Sequence, residues 1–278
     1  MQFLKVGKEN SANILLHYED YGKGQPVILI HGWPLSGKSW EKQIPALLNI
    51  GYRTIIYDRR GFGNSSKPSK GYDYDTLAKD LNILITKLNL NKVILVGFSM
   101  GGGEIARYIA NFGSRRISKV VFIAAVTPFL LRTLDNPTGI DVAKFEEIKN
   151  SIVSDRFAFL SSFFKMFYNL DSLEGKLISS QAVQYSWNVA AAASPIATLE
   201  CALSWSSTDF RKDLAKIKVP ALIIHGTADQ TVPFEISGKL TSEAIKPSKL
   251  ALIQDAPHGL IWTHADNVNS ELLDFLAK

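Results

Sequence analysis

The chain is 278 residues long, 46 % hydrophobic and 21 % charged, with a formal net charge of +5. A sizeable core is available and a disordered chain is excluded; the length suits one α/β domain carrying an insertion. Lysine and arginine are scattered, with Arg59-Arg60 and Arg115-Arg116 the only adjacent arginine pairs, so the positive balance reads as solvated surface and not as a nucleic-acid interface.

Residues 1–9 lack the apolar core of a signal peptide, and no apolar run reaches the ~18 residues of a membrane span, so a cytoplasmic protein without a membrane partner is expected. Residues 2–6 and 13–20 read as two short strands of a leading hairpin, the second followed by the turn Tyr21-Gly22-Lys23-Gly24. Val27 to Ile30 is a continuous apolar run, as a parallel strand buried on both faces requires, and it ends in His31-Gly32-Trp33-Pro34. A helix is expected over 39–48 and a strand over 53–57, the latter running into Asp58-Arg59-Arg60-Gly61. Leu77, Leu81, Leu84, Ile85 and Leu88 mark one face of a further helix.

Val93 to Val96 then runs directly into Gly97-Phe98-Ser99-Met100-Gly101-Gly102-Gly103, with Ile105, Ile109 and Phe112 at helical spacing behind it. Strand, tight turn and helix in that order form a nucleophile elbow, which holds a serine hydroxyl above the sheet edge on a strained backbone. Three glycines opening a helix cost about 1 kcal/mol each relative to alanine, so they call for close approach of the helix to the sheet or of substrate to the backbone.

After a strand over 119–123 the alternation stops. From Thr127 to about Asp213 the pattern is helical and rich in aromatics, including Phe159, Phe163, Phe167, Trp187 and Trp205, and is read as an inserted cap (127–213) within a core formed by 1–126 and 214–278. The lone cysteine, Cys201, lies in this cap; it excludes an intrachain disulfide and a Cys-x-x-Cys metal or haem site, and is expected to pack as a small hydrophobe. Strands over 220–225 and 249–254 and a last helix over 266–276 complete a mostly parallel, eight-stranded α/β sheet flanked by helices. Right-handed crossovers bring the carboxyl ends of the parallel strands to one rim, where ligand-binding residues gather.

A serine nucleophile needs a base within hydrogen-bond reach, itself oriented by a third group. Of the five histidines, His17 lies in the leading hairpin and His264 opens the last helix, and both read as surface or structural. His31 and His225 close strands in His-Gly pairs, where an imidazole bonds neighbouring backbone and shapes the turn. His258, in Asp255-Ala256-Pro257-His258-Gly259 just past the last strand, is the best-placed base. Asp229 is the only carboxylate in the turn after His225 and serves as the orienting acid; Asp255 sits at its own strand end and is expected to cap or anchor the loop. The N–H groups of Met100 and Trp33 are candidate donors to an oxyanion, Pro34 having none.

The chain resembles the α/β-hydrolase superfamily and, more narrowly, its cofactor-free (non-haem) haloperoxidase, arylesterase and perhydrolase group. The resemblance rests on His31-Gly-Trp-Pro-Leu-Ser-Gly37, Tyr57-Asp-Arg-Arg-Gly-Phe-Gly63, Gly71-Tyr-Asp-Tyr-Asp75, Gly97 to Glu104, Thr208-Asp-Phe-Arg211 and Ala256-Pro-His-Gly259, nearly end to end. It implies the α/β-hydrolase fold, Ser99 as nucleophile, His258 as base, Asp229 as its orienter, and an oxyanion hole from Trp33 and Met100. It implies further that Pro34 favours attack by hydrogen peroxide on an acyl-enzyme, that halide oxidation is secondary to the released peracid, that no metal or other cofactor is needed, and that the protein is a homo-oligomer. Substrates would be small esters or carboxylic acids together with hydrogen peroxide. Thr227 stands where such relatives often carry Asp, and Asn169 to Gly175 is the least family-like stretch. Lactone or γ-lactam hydrolysis by the same triad is the alternative reading. A non-catalytic ligand-binding protein on this fold is the rival from another class. Dehalogenase and epoxide-hydrolase chemistry would place a carboxylate at position 99.

Overall fold

A computed structural model describes residues 1–277. The leading strands β1 (Gln2–Glu9) and β2 (Ala12–Tyr21) pair antiparallel and run longer than their hydrophobic pattern suggests. A bulge between Lys5 and Gly7 breaks the period-two alternation, and Asn10, at φ 52°, makes a tight turn that extends both strands. The strands β3 (Pro26–Ile30), β4 (Arg53–Tyr57), β5 (Val93–Phe98), β6 (Ile117–Ile123), β7 (Ala221–Gly226) and β8 (Ser248–Ile253) follow. The eight-stranded sheet has the order β1-β2-β4-β3-β5-β6-β7-β8, antiparallel from β1 to β4 and parallel from there on.

The order turns at β3, which has β4 on one side and β5 on the other. In open α/β sheets such a switch leaves a crevice outside the strands' carboxyl ends. Here the loop at His31 and the turn at Ser99 both open onto that crevice.

Helices α1 (Gln43–Asn49), α2 (Tyr74–Lys87) and α3 (Met100–Phe112) link the first strands. α2 starts a turn ahead of its apolar stripe because the Asp73 carboxylate accepts the Thr76 N–H and caps it. α3 lies so close to the sheet that a Cβ at Gly101 would fall 2.4 Å from the Ile30 carbonyl oxygen, while Gly102 and Gly103 meet Ala125 and Phe210. Close packing of the helix on the sheet explains Gly101 and Gly102, and the Tyr74 and Phe210 rings on the helix's other side explain Gly103.

Between β6 and β7 lie α4 (Val142–Phe167), α5 (Leu170–Leu173), α6 (Ser180–Ala191), α7 (Pro195–Ser207) and α8 (Arg211–Leu214). α4 is broken at Asp155, whose backbone leaves the helical region (φ −153°, ψ 92°) while its carboxylate accepts the N–H groups of Phe157 and Ala158 and restarts the helix. The chain closes with α9 (Gly238–Ala244), α10 (Leu260–Thr263) and α11 (Ala265–Leu276). Among the described residues no helix is long and apolar enough to cross a membrane.

Every residue of β5 is buried. Each of Val93, Ile94, Leu95 and Val96 removes enough apolar surface from water to contribute roughly 1.5–3 kcal/mol, which anchors the turn that follows. Cys201 packs as a fully buried side chain, and burial pushes its thiol up to about 12. One surface expectation fails: Arg59 and Arg60 are both buried, paired with Glu104 and Asp80 rather than solvated.

Candidate active site

Ser99 sits between β5 and α3 at φ 52° and ψ −116°, a region that side-chain-bearing residues adopt only under strain of about 1–3 kcal/mol. Flanking bonds hold it there. Its N–H donates to the Ile123 carbonyl at 2.8 Å, and its own carbonyl accepts the Gly102 N–H at 3.0 Å.

The loop after β8 brings His258 over the sheet rim. Its Nε2 lies 2.9 Å from Ser99 Oγ, and its Nδ1 lies 2.7 Å from Asp229 Oδ2. The imidazole is wedged between the Phe98 and Phe167 rings, with centroids 5.2 and 5.0 Å away. Asp229 Oδ1 accepts the N–H groups of Thr231 and Val232 at 2.9 and 2.8 Å, which turns Oδ2 toward His258. All three side chains are buried.

Burial pushes the Asp229 carboxyl up, but the His258 and His225 imidazoles outweigh it and hold the group well below the usual carboxylate range. A folded pKa below the unfolded value means that the stability contributed is fully present above about pH 4 and is lost as the pH falls further. Chemical denaturation of wild type and Asp229→Asn should therefore show a stability gap that is widest near neutrality and narrows on acidification. A gap of constant size would mean that the carboxyl is not held charged.

The loops that carry Asp229 and His258 are stitched to each other. The Ala228 N–H donates to the Ala256 carbonyl at 3.0 Å, and the Asp255 N–H donates to the Thr227 hydroxyl at 2.8 Å. Asp255 thus anchors the loop as expected, but through its backbone N–H; its side chain is exposed and among the described residues accepts a bond only from Gln254.

The end of α4 grips both loops as well. The Phe167 carbonyl accepts the Gly259 N–H at 2.8 Å, and Asn169 Nδ2 donates to the Ala228 carbonyl at 2.9 Å. Asn169 adopts the left-handed conformation (φ 49°, ψ 50°), which asparagine tolerates better than alanine. Asn169→Ala should lower stability by about 2 kcal/mol, the sum of a lost hydrogen bond and backbone strain. Asn169→Gly, free of the strain, should lose about half as much; thermal unfolding of the pair would expose a clamp that contributes nothing.

The loop after β3 passes hard against the elbow, since a Cβ at Gly32 would lie 3.1 Å from Ser99 Cβ. The Gly32 carbonyl accepts from His31 Nδ1 at 2.8 Å and from the Leu35 N–H at 3.1 Å, and the opposite end of the same peptide is the Trp33 N–H. Met100 is the first residue of α3, so its N–H has no acceptor within the helix. Burial first, and the Arg59 guanidinium second, push His31 well below its ordinary value, leaving a neutral ring whose Nε2 accepts the Arg59 N–H at 3.0 Å. His17 bonds Asp58 at 3.1 Å inside the core, and His264 bonds the Thr263 hydroxyl.

A groove of about 1130 Å³ runs beneath α4, lined by Trp33, Phe145, Phe159, Phe163, Trp205 and Thr231 among others. It meets the catalytic-type cluster at two places: Trp33, and Thr231, whose N–H holds Asp229. The Trp33 indole is fixed by a bond to the Thr198 carbonyl at 3.0 Å and by edge contact with Phe163. The aromatics at helical spacing therefore serve two ends. Phe167 packs against Phe98 and His258, with the buried Phe164 behind it, while Phe159, Phe163 and Trp205 face the groove.

Residues 25–265 match the family model described as alpha/beta hydrolase fold. A Synechocystis protein provisionally named a non-heme chloroperoxidase is 56 % identical over 276 residues, covering 99 % of this chain and 100 % of that one. A bifunctional esterase/perhydrolase of Acinetobacter calcoaceticus is 36 % identical, over 94 % of this chain and 95 % of its own. The crystal structure of a bromoperoxidase from Bacillus anthracis superposes with a TM-score of 0.96 at 54 % identity, covering 100 % of this chain and 99 % of that one. The chain belongs to the α/β-hydrolase fold family and, within it, to the enzymes of the non-haem haloperoxidase and esterase/perhydrolase group.

Proposed function

We propose that the protein is a serine esterase acting on small esters through an acyl-Ser99 intermediate, with a peroxide-dependent second activity. The observation that carries this reading is the unbroken chain from Ser99 Oγ through His258, at 2.9 Å, to Asp229, at 2.7 Å. His258 takes the serine proton as Oγ attacks the ester carbonyl, and Asp229 holds the imidazole in the tautomer whose Nε2 is free to accept it. The N–H groups of Trp33 and Met100 take the developing oxyanion, each such donor being worth about 10²–10³ in turnover. His258 then returns the proton to the leaving alcohol.

Water attacking the acyl-enzyme releases a carboxylic acid, and hydrogen peroxide attacking the same carbonyl releases a peracid. The peracid passes its terminal OH to a halide ion, giving hypohalous acid and the carboxylate. The bifunctional esterase/perhydrolase named above supports this pairing of activities. No cofactor enters any step. Residues 127–213 form the cap over a core of 1–126 and 214–278, and its aromatic groove favours apolar acyl or alcohol groups. A lone buried Cys201 suits a reducing, cytoplasmic setting.

The test is a panel of chromogenic esters, acetates among them, lactones and lactams, each with and without hydrogen peroxide, with the protein quenched during turnover, digested and its peptides weighed by mass spectrometry. An acetyl mass on the Ser99 peptide and halogenation that requires both acyl donor and peroxide are expected. Halogenation without an acyl donor, or an acyl mass on another residue, would refute the scheme; higher kcat/KM for lactones or lactams would move the substrate class.

A further inference from the structure

The carboxylate of Asp229 is faced by two imidazoles, and the scheme above uses one of them. His225, the penultimate residue of β7, has no solvent exposure. Its Nε2 lies 2.9 Å from the Val232 carbonyl oxygen and 3.3 Å from Asp229 Oδ2, the oxygen that His258 also meets. The Val232 carbonyl oxygen, which can only accept, fixes the tautomer: Nε2 carries the hydrogen and donates it there, with Asp229 Oδ2 beside it, and Nδ1 is bare. Among the described residues nothing bonds to Nδ1. It is sealed against Gly238, where a Cβ would come within 2.5 Å of it.

A buried imidazole with an unpaired ring nitrogen is a poor choice for packing alone, since an apolar ring of similar size would leave no orphaned acceptor. We infer that His225 is a positioning residue for Asp229, its Nε2–H lying across the Val232 carbonyl and Asp229 Oδ2 so that this oxygen keeps its aim at His258. The inference rests on the proposed triad. Asp229 is then held from four directions: two backbone N–H groups on Oδ1, and on Oδ2 the His258 imidazole with the His225 imidazole beside it. The same second imidazole contributes to keeping the carboxyl ionised against its burial. A glycine at 238 is what leaves the ring room to stand there.

His225→Leu removes the polar N–H beside Asp229 Oδ2 and should lower kcat for a chromogenic ester roughly 10-fold, with KM nearly unchanged. His225→Gln keeps an amide N–H at similar reach and should recover most of that loss. The far-downfield proton resonance of the His258 Nδ1–H bond to Asp229 reports the contact itself. It should move in the leucine variant and return toward wild type in the glutamine one. Should the leucine variant fail to fold, His225→Asn, polar but too short to reach Oδ2, takes its place with the same expectations. Wild-type kcat without the N–H, equal activity of the leucine and glutamine variants, or an unmoved resonance would overturn the inference. Asp229→Asn is run in parallel. If it keeps full turnover, the triad reading itself falls; if it is inactive while His225→Leu is unaffected, only the role of His225 falls.

Discussion

Ser99→Ala should lower kcat/KM for a chromogenic acetate ester by roughly 10⁴–10⁶-fold while the fold persists. On the proposed acyl-serine scheme the loss is so large because the hydroxyl supplies the oxygen of the acyl bond, and neither His258 nor the N–H donors can stand in for it. Residual turnover from an intact oxyanion site acting on water sets the floor. The backbone supplies a companion result. Ser99 is held at φ 52° and ψ −116°, and alanine inherits that strain whereas glycine escapes it. Ser99→Gly should therefore be as inactive as Ser99→Ala yet more stable than it by about 1 kcal/mol, after allowing for the greater freedom of glycine in the unfolded chain. Equal stability of the two would mean that the elbow stores no strain, and near-wild-type hydrolysis by either would end the acyl-serine account.

How far the sequence could be read depended on the range of the contacts involved. The sheet is legible because each parallel strand is a continuous apolar run and each crossover helix has its stripe, so Val27 to Ile30 and Val93 to Val96 announce themselves locally. The meeting of Ser99, Asp229 and His258 follows from the same rule, since all three stand just past strand ends that parallel topology brings to one rim. What surrounds them is not local. The bond from Asn169 to the Ala228 carbonyl spans 59 positions and depends on where a 26-residue helix with a break at Asp155 comes to rest. No periodicity encodes that distance. That Asp255 anchors its loop through its N–H to the Thr227 hydroxyl, and not through its carboxylate, is equally hidden, because both residue types are ordinary turn formers and the left-handed backbone of Asp255 shows only in the fold. The arginine pair at 59 and 60 misled for the opposite reason. Charge is normally a reliable sign of exposure, and only the partners on α2 and α3 reverse it.

Arg59→Met should cost about 3–5 kcal/mol and lower the melting temperature by roughly 10 °C, the largest stability effect expected of any single change outside the apolar core. Arg59 and Glu104 are each 1 % exposed in the side chain and 2.9 Å apart. Burial pushes the Glu104 carboxyl above its ordinary value, while the guanidinium and the Tyr57 hydroxyl, which donates to Oε1, pull it back. Removing the guanidinium leaves that carboxylate in a dry interior with the tyrosine alone, and the desolvation already incurred is no longer offset. The consequence reaches the chemistry, because Arg59 Nη2 also donates to the His31 carbonyl at 2.9 Å. Glu104 lies on the helix that follows Ser99 and His31 heads the Trp33 loop, so this one side chain ties that helix to the loop proposed to carry the second oxyanion donor. In Arg59→Met, a boronic acid that mimics the tetrahedral intermediate should therefore lose affinity by more than KM rises. Pairing the change with Glu104→Met removes both charges and should recover much of the stability. Activity should stay low in that double variant, since the bond to the His31 carbonyl is still missing; full recovery of turnover along with stability would show that the pair holds the fold and leaves the oxyanion loop to position itself.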